Sequence, residues 1–339
     1  MLILLLLALV LPSPASAETL NFQVTDTLSI RAEAPDAPEA LPSIVAKPHE
    51  FDVEKLRTLL MQGEAVWEES GDQITLWEPD DAAILILHRD RGRFTYQTAY
   101  YGLYMSELLG YVASATAFQG FPAELELPGL PRADAVARAR AMLEAAGVRL
   151  LPSETVRAID RDSVAALKAL LAESELQVSL SKRYLEPFDL AHEGYLMTFD
   201  LALAGLRCDA AGAAGQVKVL LTRQGFEWVS CGNAADEVSR EEPQKLMSAA
   251  DALRQAAKSL EQVDADRPRT VTSIRLVYAP QSEVDARKSP GSSPMIPAWR
   301  FVCAPGGAAS GGGLFEPEAP FVTTIVVDAR TGALITRYG

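Results

Sequence analysis

The hydrophobic positions of the chain switch repeatedly between helix-like and strand-like spacing. Apolar residues at positions 53, 56, 59 and 60 recur at the period of a helix, so residues 52–61 are predicted to be helical. Four strand-like runs follow before the chain becomes irregular. They cover residues 65–68, 73–77, 83–88 and 93–100. Residues 51–125 are therefore predicted to form a first unit of one helix followed by strands.

The same order returns twice. In a second unit, residues 130–235, the spacing predicts a helix over 132–146 that ends at Gly147, and a second short helix over 163–171. A third unit, residues 241–339, is predicted to begin with a helix from Pro243 to about residue 260. Strands are expected after these helices at 176–180, 195–203, 216–222, 226–231, 271–279, 298–303, 321–328 and 333–336.

Adjacent strands with short connections pair antiparallel, so this order predicts an α+β fold. We expect tandem repeats of a helix packed on an antiparallel sheet. Residues 18–50 precede the first unit, and their pattern predicts one strand followed by a proline-stiffened linker around residues 35–42.

The first seventeen residues have the pattern of a signal peptide. An apolar run from Leu2 to Leu11 is too short to cross a bilayer, which needs roughly twenty apolar residues. A Pro-Ser-Pro break and the small-residue site Ala15-Ser16-Ala17 follow it. We therefore predict an extracytoplasmic protein, secreted or associated with the cell surface, with no stable membrane span once the leader is cleaved.

Charge and cysteine content restrict the function further. The net charge of −14 argues against nucleic-acid binding, which requires a basic surface. Cys208, Cys231 and Cys303 are widely spaced and match no zinc pattern. A disulfide between Cys208 and Cys231 and buried free thiols are both compatible with the sequence. No metal site and no cofactor is predicted.

The sequence contains no recognisable catalytic constellation. His49, His88 and His192 have no second His or Cys at metal-ligand spacing, although Asp189 and Glu193 lie close to His192. Neither a G-x-S-x-G motif nor a phosphate-binding glycine loop occurs. Adjacent carboxylates such as Glu68–Glu69 are too common in an acidic chain to indicate chemistry. The protein is therefore predicted not to be an enzyme.

The densest aromatic cluster of the sequence is a candidate binding surface. Tyr96, Tyr100, Tyr101 and Tyr104 could form a stacking surface for a peptide or glycan. The alternative is an ordinary strand whose alternate rings enter the core, which strand preferences favour.

The last unit resembles a known family. Its segments 270–280, 296–301 and 326–335 are similar to the PepSY-like units of Gram-positive extracytoplasmic proteins and to the repeats of the YycH and YycI regulators. Pro297, Trp299 and Phe301 lie on one predicted strand, where the two rings share a face that would cover a helix. Asp328, Thr331 and Gly332 have the side chains and backbone freedom of a tight hairpin.

The resemblance implies a regulatory role outside the membrane. The opening strand, linker and first helix are also similar to uncharacterised exported proteins of clostridial type. YycH and YycI are held by an N-terminal transmembrane helix, whereas this leader is short. The sequence thus predicts a non-enzymatic extracytoplasmic protein that binds or regulates a partner protein in the cell envelope, in signalling or peptidase control. The alternative is a secreted hydrolase that acts on peptide or cell-wall material.

Overall fold

A computed structural model describes residues 18–106, 109, 120–173, 188–209, 215–261, 268–281, 293–305 and 323–338. The predicted leader, residues 1–17, and the strand predicted over residues 176–180 lie outside the described residues. Within those ranges, no helix is both long enough and apolar enough to span a membrane.

Helices are few and strands are many in the described chain. The α-helices are α1 (Val53–Leu60), α2 (Arg132–Ala145), α3 (Arg161–Glu173) and α4 (Ala249–Glu261), and Tyr101–Met105 form a π-helical turn. The strands before α3 are β1 (Glu18–Gln23), β2 (Leu28–Ala34), β3 (Ala40–Leu41), β4 (Ile44–Pro48), β5 (Val66–Ser70), β6 (Gln73–Trp77), β7 (Ala83–His88), β8 (Arg93–Thr98) and β9 (Leu150–Ile159). Those after it are β10 (Gly194–Leu203), β11 (Leu206–Cys208), β12 (Gln216–Thr222), β13 (Phe226–Cys231), β14 (Ala235–Arg240), β15 (Gln244–Lys245), β16 (Arg269–Pro280), β17 (Ser293–Pro305), β18 (Thr323–Asp328) and β19 (Leu334–Tyr338).

Most strands belong to one 17-stranded sheet, which has two sections. In the first section every neighbouring pair is antiparallel, and the strand order is β5-β6-β7-β8-β13-β12-β10-β9. Strand β5 therefore lies at one edge of this section and β9 at the other.

The second section contains both termini of the described chain. Its order is β1-β2-β16-β17-β18-β19, in which β2 and β16 are parallel and the other pairs antiparallel. Strand β4 pairs with both β17 and β14. The hairpin between β10 and β11 joins the two sections, because β11 also pairs with β16. Strands β3 and β15 form a separate two-stranded sheet.

The predicted tandem repeat of helix-on-sheet units is therefore wrong. The chain forms a large mixed sheet whose pairings cross the predicted unit boundaries, as when Phe94 of β8 pairs with Cys231 of β13. Residues 18–48 contain four strands where one was predicted, and residues 35–39 of the predicted linker are irregular. Local hydrophobic spacing finds strands but carries no information about which distant strand each one joins.

Three apolar cores hold helices against the sheet. Helices α1 and α2 pack on one face of the first section, where Leu56 and Leu143 are fully buried. The π-helical turn and α3 pack on the opposite face through Tyr104 and Leu167. Helix α4 covers the second section through side chains such as Leu253.

Helix ends mostly follow local signals. Asp52 caps α1 by accepting a hydrogen bond from the Lys55 backbone N–H at 3.0 Å, and α2 ends before Gly147, whose φ is +86°. The third predicted helix begins later than expected. The segment after Pro243 pairs with β3 as β15, and Ser248 instead caps α4 by accepting from the Asp251 N–H at 3.1 Å.

Candidate functional site

The residues of the C-terminal motif lie in or beside a core. Trp299 and Phe301 are fully buried against α4, and the Trp299 indole Nε1 donates to the Met247 carbonyl at 3.0 Å. The Pro297 carbonyl accepts a hydrogen bond from the Ala329 N–H at 3.0 Å. These contacts tie β17 to the helix and to the turn after β18, so the three residues have a structural role.

The turn between β18 and β19 contains the other three motif residues. Asp328 is buried and accepts the Arg330 N–H at 2.8 Å, and the Thr331 hydroxyl accepts the Ala333 N–H at 3.3 Å. Gly332 has a φ of +69°, a conformation that glycine adopts without strain. The turn is therefore built from the residue types that tight hairpins require.

The predicted tyrosine surface does not form. Tyr96, Tyr101 and Tyr104 are buried, Tyr96 in the core beneath α1 and α2 and the other two in the core beneath α3. Tyr101 stacks on Trp228 with ring centroids 4.9 Å apart, and burial raises its pKa. Tyr100 is half-buried and stacks on His192 at 4.0 Å. Tyr96 enters the core from strand β8, and Tyr101 and Tyr104 enter the other core from the π-helical turn, so these rings form no exposed stacking surface.

The polar groups around His192 form ion pairs and hydrogen bonds within the fold. His192 Nδ1 lies 2.8 Å from Asp189 Oδ1. The buried Glu193 carboxylate accepts from Arg161 Nε at 3.1 Å and from Arg223 Nη2 at 3.2 Å. No group of three His, Cys, Asp or Glu side chains that could hold a metal occurs among the described residues. This cluster joins the start of α3 to β10 and the turn after β12.

A second network of charges lies where the two sheet sections meet. Arg207 is buried, and its guanidinium contacts Asp200 Oδ1 at 3.0 Å and Asp209 Oδ1 at 2.8 Å. Arg275 contacts Asp200 at 3.1 Å, and Arg300 contacts Asp209 at 3.2 Å. A cleft of about 470 Å³ opens above Asp200 and Arg207. Such paired charges fix the arrangement of strands β10, β11, β16 and β17, because breaking a buried pair leaves an uncompensated charge.

The three cysteines are free and buried. Burial raises the pKa of Cys208 and that of Cys303 to about 12, and it raises the pKa of Cys231 as well. Thiols of such high pKa are poor nucleophiles, since the thiolate is the reactive form. They act here as small core side chains.

Strand β5 is an exposed edge strand of the first section. All five of its residues are exposed, including Val66 at 65% and Trp67 at 43%. It pairs with β6, and no described residue outside β6 forms a backbone hydrogen bond with it. We call Val66, Trp67, Glu68 and Glu69 the β5 edge surface.

The turn after β5 determines which backbone groups point outward. The two-residue connection begins with Gly71, whose φ is +61°, and Ser70 and Gln73 flank it. Residues that flank such a turn exchange hydrogen bonds, and the bonded pairs then alternate along the hairpin. Val66, Glu68 and Ser70 therefore bond to β6, while the N–H and C=O groups of Trp67 and Glu69 face away from the sheet.

The opposite edge of the same section is covered. Along β9, Arg140 donates to the Leu151 carbonyl at 3.1 Å and to the Pro152 carbonyl at 2.6 Å. The Ala158 N–H donates to the Pro122 carbonyl at 2.8 Å. Within the described residues, the first section thus protects its β9 edge and leaves its β5 edge open.

Apolar side chains continue from the β5 edge onto one face of the sheet. Val66 lies opposite Trp77, which lies opposite Ile84, and both neighbours are half-buried. In the next row Glu68 lies opposite Thr75. On the other face Trp67 lies opposite Leu76 and is 43% exposed, and the Glu69 carboxylate pairs with Arg89. An open edge, two exposed apolar side chains and two carboxylates therefore occur together.

Sequence reasoning predicted a strand over residues 65–68 but attached no function to it. Adjacent carboxylates such as Glu68 and Glu69 are too common in an acidic chain to indicate a site, and Val66 and Trp67 match no motif. The available signal is the adjacency of two large apolar residues to two acidic ones in a short run. A strand with one buried face would alternate instead.

Comparison with known proteins gives a fold and no function. No protein-family model matches the chain, and no curated protein matches it. A similar solved structure is the crystal structure of an uncharacterized protein from Eubacterium rectale ATCC 33656. It is 14% identical, the match covers 92% of each chain, and the TM-score is 0.60. The chain therefore shares its fold with that protein over nearly the whole length.

Proposed function

We propose that this protein is a non-enzymatic extracytoplasmic protein that binds a partner protein in the cell envelope through the β5 edge surface. The observation that carries the proposal is the open edge of β5, with Val66 and Trp67 exposed. An edge strand with unpaired backbone groups is a template for another chain, and natural proteins usually protect such edges.

The side chains at this edge are suited to a protein contact. Tryptophan is among the residues that contribute most to binding energy at interfaces. Trp67 and Val66 lie on opposite faces of β5, so a partner that reaches around the edge would cover both. The half-buried Trp77 and Ile84 extend the apolar area on the Val66 face.

A second copy of this chain is a poor occupant of the edge. Antiparallel pairing of two β5 strands about Glu68 would place the two Glu68 side chains opposite each other, and like charges directly opposite are destabilising. Each chain also has a net charge of −14. Charge repulsion between copies therefore favours a different protein as the partner.

The envelope location rests on the sequence pattern of residues 1–17, and the regulatory role rests on the resemblance of residues 270–335 to PepSY-like units. In this proposal the protein controls its partner, a sensor or a peptidase, by occupying a segment of it.

The test is affinity capture with the mature chain, beginning at Glu18, from an extract of the native envelope. The double variant Val66→Ser/Trp67→Ala removes the apolar side chains of the edge. Val238→Ser is a matched control, because Val238 is 58% exposed on β14, in the other sheet section. We expect the wild type and Val238→Ser to recover one protein near stoichiometry and the double variant to lose it about tenfold. Equal recovery by all three chains, or turnover of peptide or cell-wall substrates by the purified protein, would refute the proposal.

A further inference from the structure

The backbone of β5 points to the form in which a partner binds. This inference rests on the proposed function and specifies its partner. We propose that the β5 edge takes up an extended segment of the partner as an additional strand, with a basic residue opposite Glu68 and apolar residues opposite Trp67 and Val66.

The spacing of the outward backbone groups fits strand addition. The N–H and C=O groups of Trp67 and Glu69 face away from β6, and they repeat every second residue, about 6.8 Å apart. An added strand presents its own groups at the same period, at a distance of about 4.8 Å from β5. Recognition of this kind derives affinity from main-chain hydrogen bonds and specificity from alternate side chains.

The charges at the edge select the segment. Glu68 makes no hydrogen bond or ion pair with a described residue, whereas Glu69 is already paired with Arg89. A lysine or arginine opposite Glu68 would form a cross-strand ion pair on the face where Val66 is exposed. A β-branched or aromatic residue two positions away would then cover Val66 and continue the row that includes Trp77. An acidic segment would be repelled at the same position.

The first experiment uses short peptides as probes of the purified mature protein. One peptide consists of threonine and valine with a single central lysine, and its counterpart has glutamate at that position. A third peptide keeps the lysine but is N-methylated at alternate backbone nitrogens. Binding is followed by Trp67 fluorescence against the Trp67→Phe variant and by calorimetry. We expect the lysine peptide to bind about tenfold more tightly than the glutamate peptide, and the N-methylated peptide to lose binding.

The second experiment changes one backbone group of the protein. Glu69→Pro removes an outward N–H, and proline is tolerated on an edge strand where the N–H faces solvent. Glu69→Gln is its matched control, because both variants lose the charge and the Arg89 pair. We expect Glu69→Gln to keep binding the lysine peptide and Glu69→Pro to lose it at least about tenfold, with both variants unfolding near the wild-type midpoint.

The outcomes separate this inference from the proposed function. Equal binding of the lysine and glutamate peptides, or equal binding by Glu69→Pro and Glu69→Gln, would overturn strand addition. If Glu69→Pro still captured the envelope partner while Val66→Ser/Trp67→Ala did not, the edge surface would bind by side chains alone. The proposed function would then stand without strand addition. Capture of the partner by all these variants would overturn both.

Discussion

Arg330 forms a two-pronged ion pair with Asp328 across the turn that follows β18. Its Nε donates to Asp328 Oδ1 at 3.0 Å, its Nη2 donates to Oδ2 at 2.9 Å, and its Nη1 donates to the Ser43 hydroxyl at 2.7 Å. The carboxylate and the guanidinium are both nearly buried. The turn of the C-terminal hairpin is thereby joined to the segment that leads into β4, far away in the sequence.

This pair should make stability depend on acid pH. Burial alone would raise the pKa of Asp328, but the hydrogen bonds from Arg330 outweigh it and hold the pKa below its usual value. A group whose pKa is lowered by folding stabilises the protein above its unfolded pKa, about 3.9, and this contribution is lost as the pH falls through the folded value. Asp328→Asn should cost about 3 kcal/mol at pH 7, and less below pH 4.

Urea unfolding at pH 7, 4 and 3 measures the difference between the variant and the wild type. Glu50→Gln is the control, because Glu50 is exposed and a surface change of this kind alters stability by about 0.5 kcal/mol or less. A wild-type advantage over Asp328→Asn that stays constant from pH 7 to pH 3 would contradict the assignment.

Truncation of two tryptophans should change the free energy of unfolding by very different amounts. Trp299 is buried beneath α4 and donates to the Met247 carbonyl, so Trp299→Ala leaves a cavity and an unsatisfied carbonyl. We expect it to reduce the free energy of unfolding by about 4 kcal/mol. Trp67→Ala removes a 43% exposed side chain and should change it by about 0.5 kcal/mol. Chemical denaturation of the two variants checks this, and comparable losses would show that Trp67 also supports the fold.

The cysteines should be unreactive until the protein unfolds. All three are buried, and burial raises the pKa of Cys208 and of Cys303 to about 12. At pH 8 the thiolate fraction is therefore very small, and reagent access is blocked. Titration with a chromogenic disulfide should find no fast-reacting thiol in the native protein and three in denaturant. Fewer than three thiols in denaturant, without reductant, would reveal a disulfide and contradict the free state.

Sequence patterns found most elements of this fold because each depends on neighbouring residues. The apolar spacing that ends at Gly147 predicts α2 correctly, and the Trp299 strand lies where the alternation places it. Such local patterns do not predict which distant strands pair with each other. Nothing near Phe94 indicates that its strand partner is Cys231, and nothing near Ile44 indicates a place beside Met295. The predicted repeats failed for this reason.

The candidate site was missed for a related reason. A strand is an edge strand when a neighbour pairs with only one of its two sides. The residues of β5 alone do not determine how many neighbours it has. The aromatic cluster drew attention because rings are conspicuous in sequence, yet Tyr101 and Tyr104 are buried by α3 and the π-helical turn. Trp67 lies opposite the buried Leu76 and is nevertheless 43% exposed, which the local sequence does not indicate.

Two glycines with positive φ should differ in their tolerance of alanine. Gly92 has a φ of +56°, and a Cβ there would collide with the Ala234 carbonyl oxygen and lie 2.7 Å from the His49 nitrogen. The Gly92 carbonyl also accepts the Ala234 N–H at 2.8 Å, so the backbones around β4, β8 and β14 meet closely at this point. Gly71 has a φ of +61°, but a Cβ there meets no atom within 4 Å.

Gly71→Ala should therefore cost only the strain of an alanine at positive φ, about 1–3 kcal/mol. Gly92→Ala adds a backbone collision that no side-chain rotation relieves, and we expect a loss of at least about 4 kcal/mol. Thermal and urea unfolding of the two variants measure the difference. Because Gly71 begins the turn that fixes β5, Gly71→Ala should also weaken binding of the lysine peptide. If the two variants were equally stable, backbone strain alone would account for both losses of stability. The backbone around Gly92 would then have room for a Cβ atom.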